Sequence, residues 1–194
     1  MDIRYLHRRN RNVLSKFNLA RRCQIVYNLI QKYSDKESEK ILDIGTCDGH
    51  MLSFLKDKMP SAECFGIEPQ KEFVDVVADG RISVTSGSAE QMTFPADSFD
   101  FVIMSSVIEH VEKPERSLAE VRRVLKKDGK FILITVMPAY EWATVRFGIK
   151  QDDHYRSFKL HEINQFVQKT PMKVVESRNF LFPLFYQLTV GEKQ

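Results

Sequence analysis

Residues 41–50 read ILDIGTCDGH, a short apolar run broken by Asp43, then two glycines four apart with Asp48 between them. An apolar run of strand length that closes on glycines marks a sharp turn where a ligand can approach the backbone. Outward from this stretch, apolar runs of strand length alternate with amphipathic stretches of helical period. That alternation predicts an α/β fold, a mostly parallel sheet covered by helices on both faces. Strands are expected at Lys40–Ile44, Glu63–Ile67, Ile82–Ser86, Phe99–Met104, Lys130–Val136, Lys173–Phe180 and Tyr186–Val190. Helices are expected over residues 19–33, 49–58, 70–78 and 159–169. A further helix follows Pro114, a favoured first-turn residue, with Lys126 and Lys127 at its end and Gly129 in the place of a C-terminal cap. Only Leu181–Phe185 joins the last two strands, too short for a helical crossover, so they should form an antiparallel hairpin. Residues 137–158 follow neither period and read as a lid.

The chain's 194 residues suffice for one domain with a sizeable core. The expected division is a basic arm and helix at 1–39, a cofactor-binding core at 40–136, the lid at 137–158, and a terminal helix and hairpin at 159–194. No apolar run approaches the length of a membrane helix, and the first twenty residues carry charge where an export signal would be apolar. Cys23, Cys47 and Cys64 are odd in number and contain no CxxC pair, which argues against a disulfide framework or zinc site and for a cytoplasmic location. The net charge of +3 hides an asymmetry. Residues 1–22 hold Arg4, Arg8, Arg9, Arg11, Lys16, Arg21 and Arg22 against Asp2 alone, leaving the remainder net negative.

Dinucleotides are the commonest ligands of such a glycine turn, but their GxGxxG fingerprint is not met here, because position 47 is cysteine. Asp43 and Asp48 would also repel a pyrophosphate, at about 1 kcal/mol per pair in water and more at a lower effective dielectric. A cationic nucleoside without phosphates suits two carboxylates better. S-adenosylmethionine is such a ligand, with an ammonium, a sulfonium and one carboxylate that backbone N–H groups could hold. Glu68 ends the second strand 19 residues after Gly49, a spacing at which a carboxylate can accept from both ribose hydroxyls. The third strand leads into GSAEQMTFPADSFD, whose backbone and small side chains could read an adenine edge.

LDIGTCDG, GIEP, GSAEQMTFPADSFDFVIMSSVIEHV and RRVLKKDGKFILIT, in this order and spacing, resemble the class I S-adenosylmethionine-dependent methyltransferases, most closely the small-molecule branch that includes quinone-type enzymes. The resemblance covers residues 40–136, and the later strands fit the same family's terminal hairpin. It implies a Rossmann-like, doubly wound sheet of seven strands, mostly parallel with a C-terminal antiparallel hairpin. It places Asp43, Gly45, Thr46, Cys47 and Gly49 around the methionine end of the cofactor and Glu68 on the ribose. Pro69 would flank the adenine, Ser88, Ala89 and Glu90 would lie at its edge, and Ser105 would line the methyl-donor pocket. Two departures stand out: relatives often have glycine at the position of Cys47 and aspartate at that of Ser88.

The implied activity is methyl transfer to a small-molecule acceptor, with His110 and His154 as candidate bases and Tyr155 as a pocket residue. Some quinone-type relatives place a metal at Glu109 and His110 with an additional acid three residues earlier. That position is Ser106, and Asp152, Asp153 and His154 read as a solvated loop, so no metal is expected. The basic first segment favours an acceptor with a carboxylate or phosphate and motivates an RNA methyltransferase as the alternative. Nucleic acid is disfavoured because SSVIEH stands where DNA amino-methylating enzymes carry an Asp/Asn-Pro-Pro-aromatic motif. A non-catalytic S-adenosylmethionine-binding protein is a third reading. No membrane partner is expected, and the sequence implies no oligomeric state.

Overall fold

The computed structural model describes residues 12–36, 38–146, 155–180 and 185–194. Helix α1 (Val13–Tyr33) leads into β1 (Lys40–Ile44), α2 (His50–Lys58), β2 (Glu63–Glu68), the single turn α3 (Lys71–Val74) and β3 (Ser83–Ser86). There follow β4 (Phe99–Ser105), a 3-10 turn at Ile108–His110, α4 (Pro114–Val124), β5 (Leu125–Val136), α5 (Pro138–Arg146), α6 (Leu160–Lys169), β6 (Met172–Phe180) and β7 (Tyr186–Lys193).

One seven-stranded sheet runs in the order β3-β2-β1-β4-β5-β7-β6. The pairs among β1 to β5 are parallel, while β7 is antiparallel to both β5 and β6. Strand order reverses between β1 and β4, so a crevice opens there beyond the carboxyl ends of the strands.

Side chains of the central strands alternate between two apolar layers, as the two-residue period of a strand requires. Ile41, Phe101, Ile103, Ile132 and Ile134 pack with Cys23, Val26 and Ile30 of α1 and Leu52 and Leu55 of α2. Leu42, Val102, Met104, Phe131 and Leu133 pack on the other face with Leu118 and Val121 of α4 and Ile163 and Val167 of α6. Asp43 shares the face of Ile41 by this period. It lies at the end of the layer covered by α1.

Several boundaries differ from the sequence expectation. Helix α1 starts at Val13 rather than 19, because the Asn12 side chain accepts from Ser15 N at 3.1 Å and caps the helix there. Helix α3 is one turn, not the nine residues expected from 70 to 78. Helix α4 stops at Val124, and Gly129 is not its cap, because Leu125 turns extended and pairs with Phe99 as the first residue of β5. The bulge that follows places Asp128 at φ 63°, and a Cβ on Gly129 would lie 2.9 Å from Lys126 O. Within the aperiodic segment 137–158, Pro138–Arg146 form helix α5, whose Tyr140 ring stacks on Phe185 at 4.9 Å.

Candidate active site

The turn after β1 carries three left-handed residues in alternation: Gly45 (φ 69°), Cys47 (φ 55°) and Gly49 (φ 76°). A Cβ on Gly45 would come within 2.5 Å of Val107 Cγ2, and one on Gly49 within 2.7 Å of Ile82 Cδ1. Gly45 is therefore required by packing as well as by φ, whereas at Gly49, where the close atom ends the flexible Ile82 side chain, φ carries the requirement. Cys47 adopts the same region with a side chain, a conformation that costs a residue other than glycine.

Beyond the carboxyl ends of β1, β2, β3 and β4 lies a cavity of about 520 Å³. Asp43, Gly45, Thr46, Cys47, Glu68, Pro69, Ser88, Ala89, Glu90 and Ser105 all line it. Gly49 does not; it ends the turn one residue before α2. His110 and Tyr155 line the same cavity, with Tyr155 N donating to Glu109 O at 2.9 Å, while His154 lies outside the described residues.

Glu68 is buried, and its carboxylate accepts from Cys47 N (3.0 Å) and Gln70 N (3.2 Å). A carboxylate offers about four lone-pair sites, so two stay available to hydroxyls of a ligand. Burial raises the Glu68 pKa against the pull of the Gln70 and Cys47 amides. Burial also pushes Asp43 up to about 7, with Glu68 adding to the rise and the Thr46 hydroxyl and Arg22 guanidinium opposing it. A buried carboxylate held this high gains from a cationic partner. Ser88 Oγ accepts from Glu90 N at 3.1 Å, and Glu90 Oε1 accepts from Lys113 N at 3.1 Å. The third-strand segment is thereby pinned to the start of α4.

Glu109 is buried and accepts from Thr135 Oγ1 at 2.9 Å. Among the described residues no three His, Cys, Asp or Glu side chains gather as metal ligands do. Leu19 and Arg22 of α1 also line the cavity; the basic segment 1–22 was expected to border the acceptor pocket, but neither residue was singled out by sequence. Arg22 Nη1 donates to Ser106 Oγ (2.8 Å) and Ser105 Oγ (3.2 Å), and its guanidinium lies 5.4 Å from the Tyr186 ring centre. The signal was present in the sequence. Arg22 lies four residues before Val26, beside Cys23 at the edge of the Cys23, Val26, Ile30 stripe, and a cation there marks where the stripe leaves the core.

A family model described as a methyltransferase domain matches residues 42–133. Over those residues the chain is similar to that methyltransferase family. The Bacillus subtilis protein named uncharacterized methyltransferase YcgJ is 30% identical over 113 residues, which cover 55% of this chain and 44% of that protein. The demethylmenaquinone methyltransferase of Thermotoga maritima is 30% identical over 104 residues, covering 52% and 44%. The chain thus spans less than half the length of these curated relatives. The crystal structure of YcgJ superposes with a TM-score of 0.70 at 19% identity, covering 86% of this chain and 96% of that one, a likeness of fold.

The cofactor that this similarity implies is S-adenosylmethionine. The residues present fit it. Asp43, Asp48, Glu68, Glu90 and Glu112 line the cavity, against Arg22 as the only Arg or Lys among the described lining residues. Such a wall suits a cationic nucleoside and repels a pyrophosphate.

Proposed function

We propose that the protein transfers a methyl group from S-adenosylmethionine to a small-molecule acceptor. The observation that carries this reading is the acid-lined cavity at the end of β1, β2, β3 and β4. Its excess of carboxylates disfavours a polyanionic acceptor such as RNA, while its volume is within the usual range for small-ligand sites, about 300–1,000 Å³. The Thermotoga relative, named for demethylmenaquinone, supports a quinone-type or comparable aromatic acceptor.

S-adenosylmethionine supplies an electrophilic methyl group. The chain's own part is to bind, align and exclude water. Glu68 would accept from the ribose hydroxyls through its open lone pairs. Ser88, Ala89 and Glu90 would border the adenine, with Pro69 beside it. Cys47 and Thr46 would flank the methionine end, and Ser105 the methyl donor. For a hydroxyl or acidic-carbon acceptor, an imidazole nitrogen of His110 would take the proton, with Tyr155 at the acceptor side of the wall. Segment 137–158, including α5, would act as a lid. No helix among the described residues is long and apolar enough to cross a membrane. The odd, scattered cysteines Cys23, Cys47 and Cys64, with no CxxC pair, support a reducing cytoplasmic setting.

The test is isothermal titration of S-adenosylmethionine into wild type and Glu68→Gln, followed by a tritiated-methyl assay on fractionated extract. Loss of one charge-assisted hydrogen bond, worth about 1.5–3 kcal/mol, should weaken binding at least about tenfold with the circular dichroism spectrum unchanged. Label should enter the small-molecule fraction. Unchanged affinity in the variant, or label confined to RNA, would refute the reading.

A further inference from the structure

Six large apolar side chains are exposed among the described residues, and five of them stand on segments at or beyond the carboxyl edge of the sheet. These are Val13, Leu14 and Phe17 of α1, Trp142 of α5, and Tyr155 at the cavity. Two contacts fix the direction of α1. Arg22 meets Ser105 and Ser106 at the end of β4, while Lys36, three residues past the helix, reaches Asp100 near the start of that strand. The helix therefore points its N-terminus past the carboxyl edge, and from Arg22 to Val13 it extends about 13 Å further, at 1.5 Å per residue.

At about 100° per residue, Val13, Leu14 and Phe17 share one face of α1 with Arg21, and Lys16 borders it. Cys23, Val26 and Ile30 occupy the opposite face, where they meet the core. The exposed patch is not a ragged end of the core stripe, because it looks away from the sheet. Residues 12–22 hold Lys16, Arg21 and Arg22 and no acid, and Arg4, Arg8, Arg9 and Arg11 stand before them in the chain. Clustered exposed apolar side chains, unlike single ones, mark an interaction surface.

Three partners can be weighed by chemistry. A second copy meeting this face about a two-fold axis would bring like cations together. RNA would take the cations and leave Val13, Leu14 and Phe17 in water. An anionic lipid surface takes both, because headgroup phosphates meet Lys16 and Arg21 while the apolar side chains enter the boundary of the acyl chains. We propose that the first turns of α1 dock the protein on an anionic lipid surface. The expectation of no membrane partner rests on the lack of a spanning run, and a helix lying in the interface needs none. The docked segment adjoins Leu19 and Arg22 of the cavity wall. On the methyl-transfer reading, an acceptor held in the membrane then enters the cavity without crossing bulk water. That last step rests on methyl transfer; the docking does not.

Sedimentation with sucrose-loaded vesicles tests this. Wild type should bind vesicles of equal parts phosphatidylglycerol and phosphatidylcholine at least about tenfold more tightly than phosphatidylcholine alone, and salt should narrow the difference. Leu14→Ser with Phe17→Ser should lower binding to the anionic vesicles by at least about tenfold, and Lys16→Gln with Arg21→Gln by a similar factor. All four residues are exposed, so both variants should keep the wild-type circular dichroism spectrum and an S-adenosylhomocysteine affinity within about threefold of wild type. Wild type that ignores the vesicles, or binds neutral ones as well, would overturn the proposal. So would full vesicle binding by the Leu14→Ser, Phe17→Ser variant. RNA binding, or dimerisation through this face, in place of vesicle binding would overturn it too. The vesicle assay needs no cofactor, so failure of the methyl-transfer reading would appear in the titration and not in the sedimentation.

Discussion

At the scale of single residues, Asp43 makes the site pH-sensitive. Its carboxyl is raised from 3.8 to about 7 by burial, so in the ligand-free protein it contributes stability below its ordinary value, and that contribution is lost as pH rises towards 7. An ammonium on the ligand favours the charged carboxylate, so the sign for binding is opposite. S-adenosylhomocysteine affinity should climb with pH by up to about tenfold per unit and level off above the Asp43 value. Calorimetry in buffers of different ionisation enthalpy should detect proton release below pH about 7, and Asp43→Asn should abolish it. A flat pH profile in wild type would dissociate Asp43 from the ligand. Asp43 and Glu68 could be placed from the sequence because acids at strand ends beside glycines leave a pattern. Arg22 left only the signal of a cation beside an apolar stripe; its partner Ser105 did not show, since that contact joins residues 83 positions apart.

At the scale of elements, the alternating left-handed turn decides what each position tolerates. Gly45→Ala meets both the φ penalty, about 1–2 kcal/mol, and the 2.5 Å approach to Val107, so it should lower the urea midpoint and cofactor affinity together. Cys47→Gly removes a left-handed strain of that size but adds unfolded-chain entropy of about 0.5–1 kcal/mol, so its melting temperature should stay within a few degrees of wild type. Cys47→Val, stiff at χ1, should melt lower than either. A destabilised Cys47→Gly would show that the thiol packs more than it strains. Strand positions were legible because buried runs such as FDFVIM leave no alternative reading. Helix ends were less so. The N-cap at Asn12 sits before Val13, Leu14 and Phe17, which have helical spacing but are exposed rather than packed on the core, and Leu125 has helical spacing with Leu118 and Val121 although its pairing with Phe99 takes it into the sheet.

At the scale of the molecule, the sheet's parallel half and its closing hairpin could be read from connection lengths alone. Which hairpin strand meets β5 could not, because a hairpin fits either way round. The structure places β7 inside, with Tyr186–Val190 buried throughout, and leaves β6 at the edge with much of its length exposed. This insertion has a consequence for the order in which the chain is made. β6 leaves the ribosome before β7, yet β7 is its only partner in the sheet. During that interval β5 presents an open edge and β6 has nowhere to dock, and unpaired strand edges are aggregation-prone. Slowing translation with rare codons between residues 180 and 186 should therefore raise the insoluble fraction, whereas the same codons placed in the α2 region should not. Equal solubility of the two genes would mean that β6 waits harmlessly for the strand that separates it from β5.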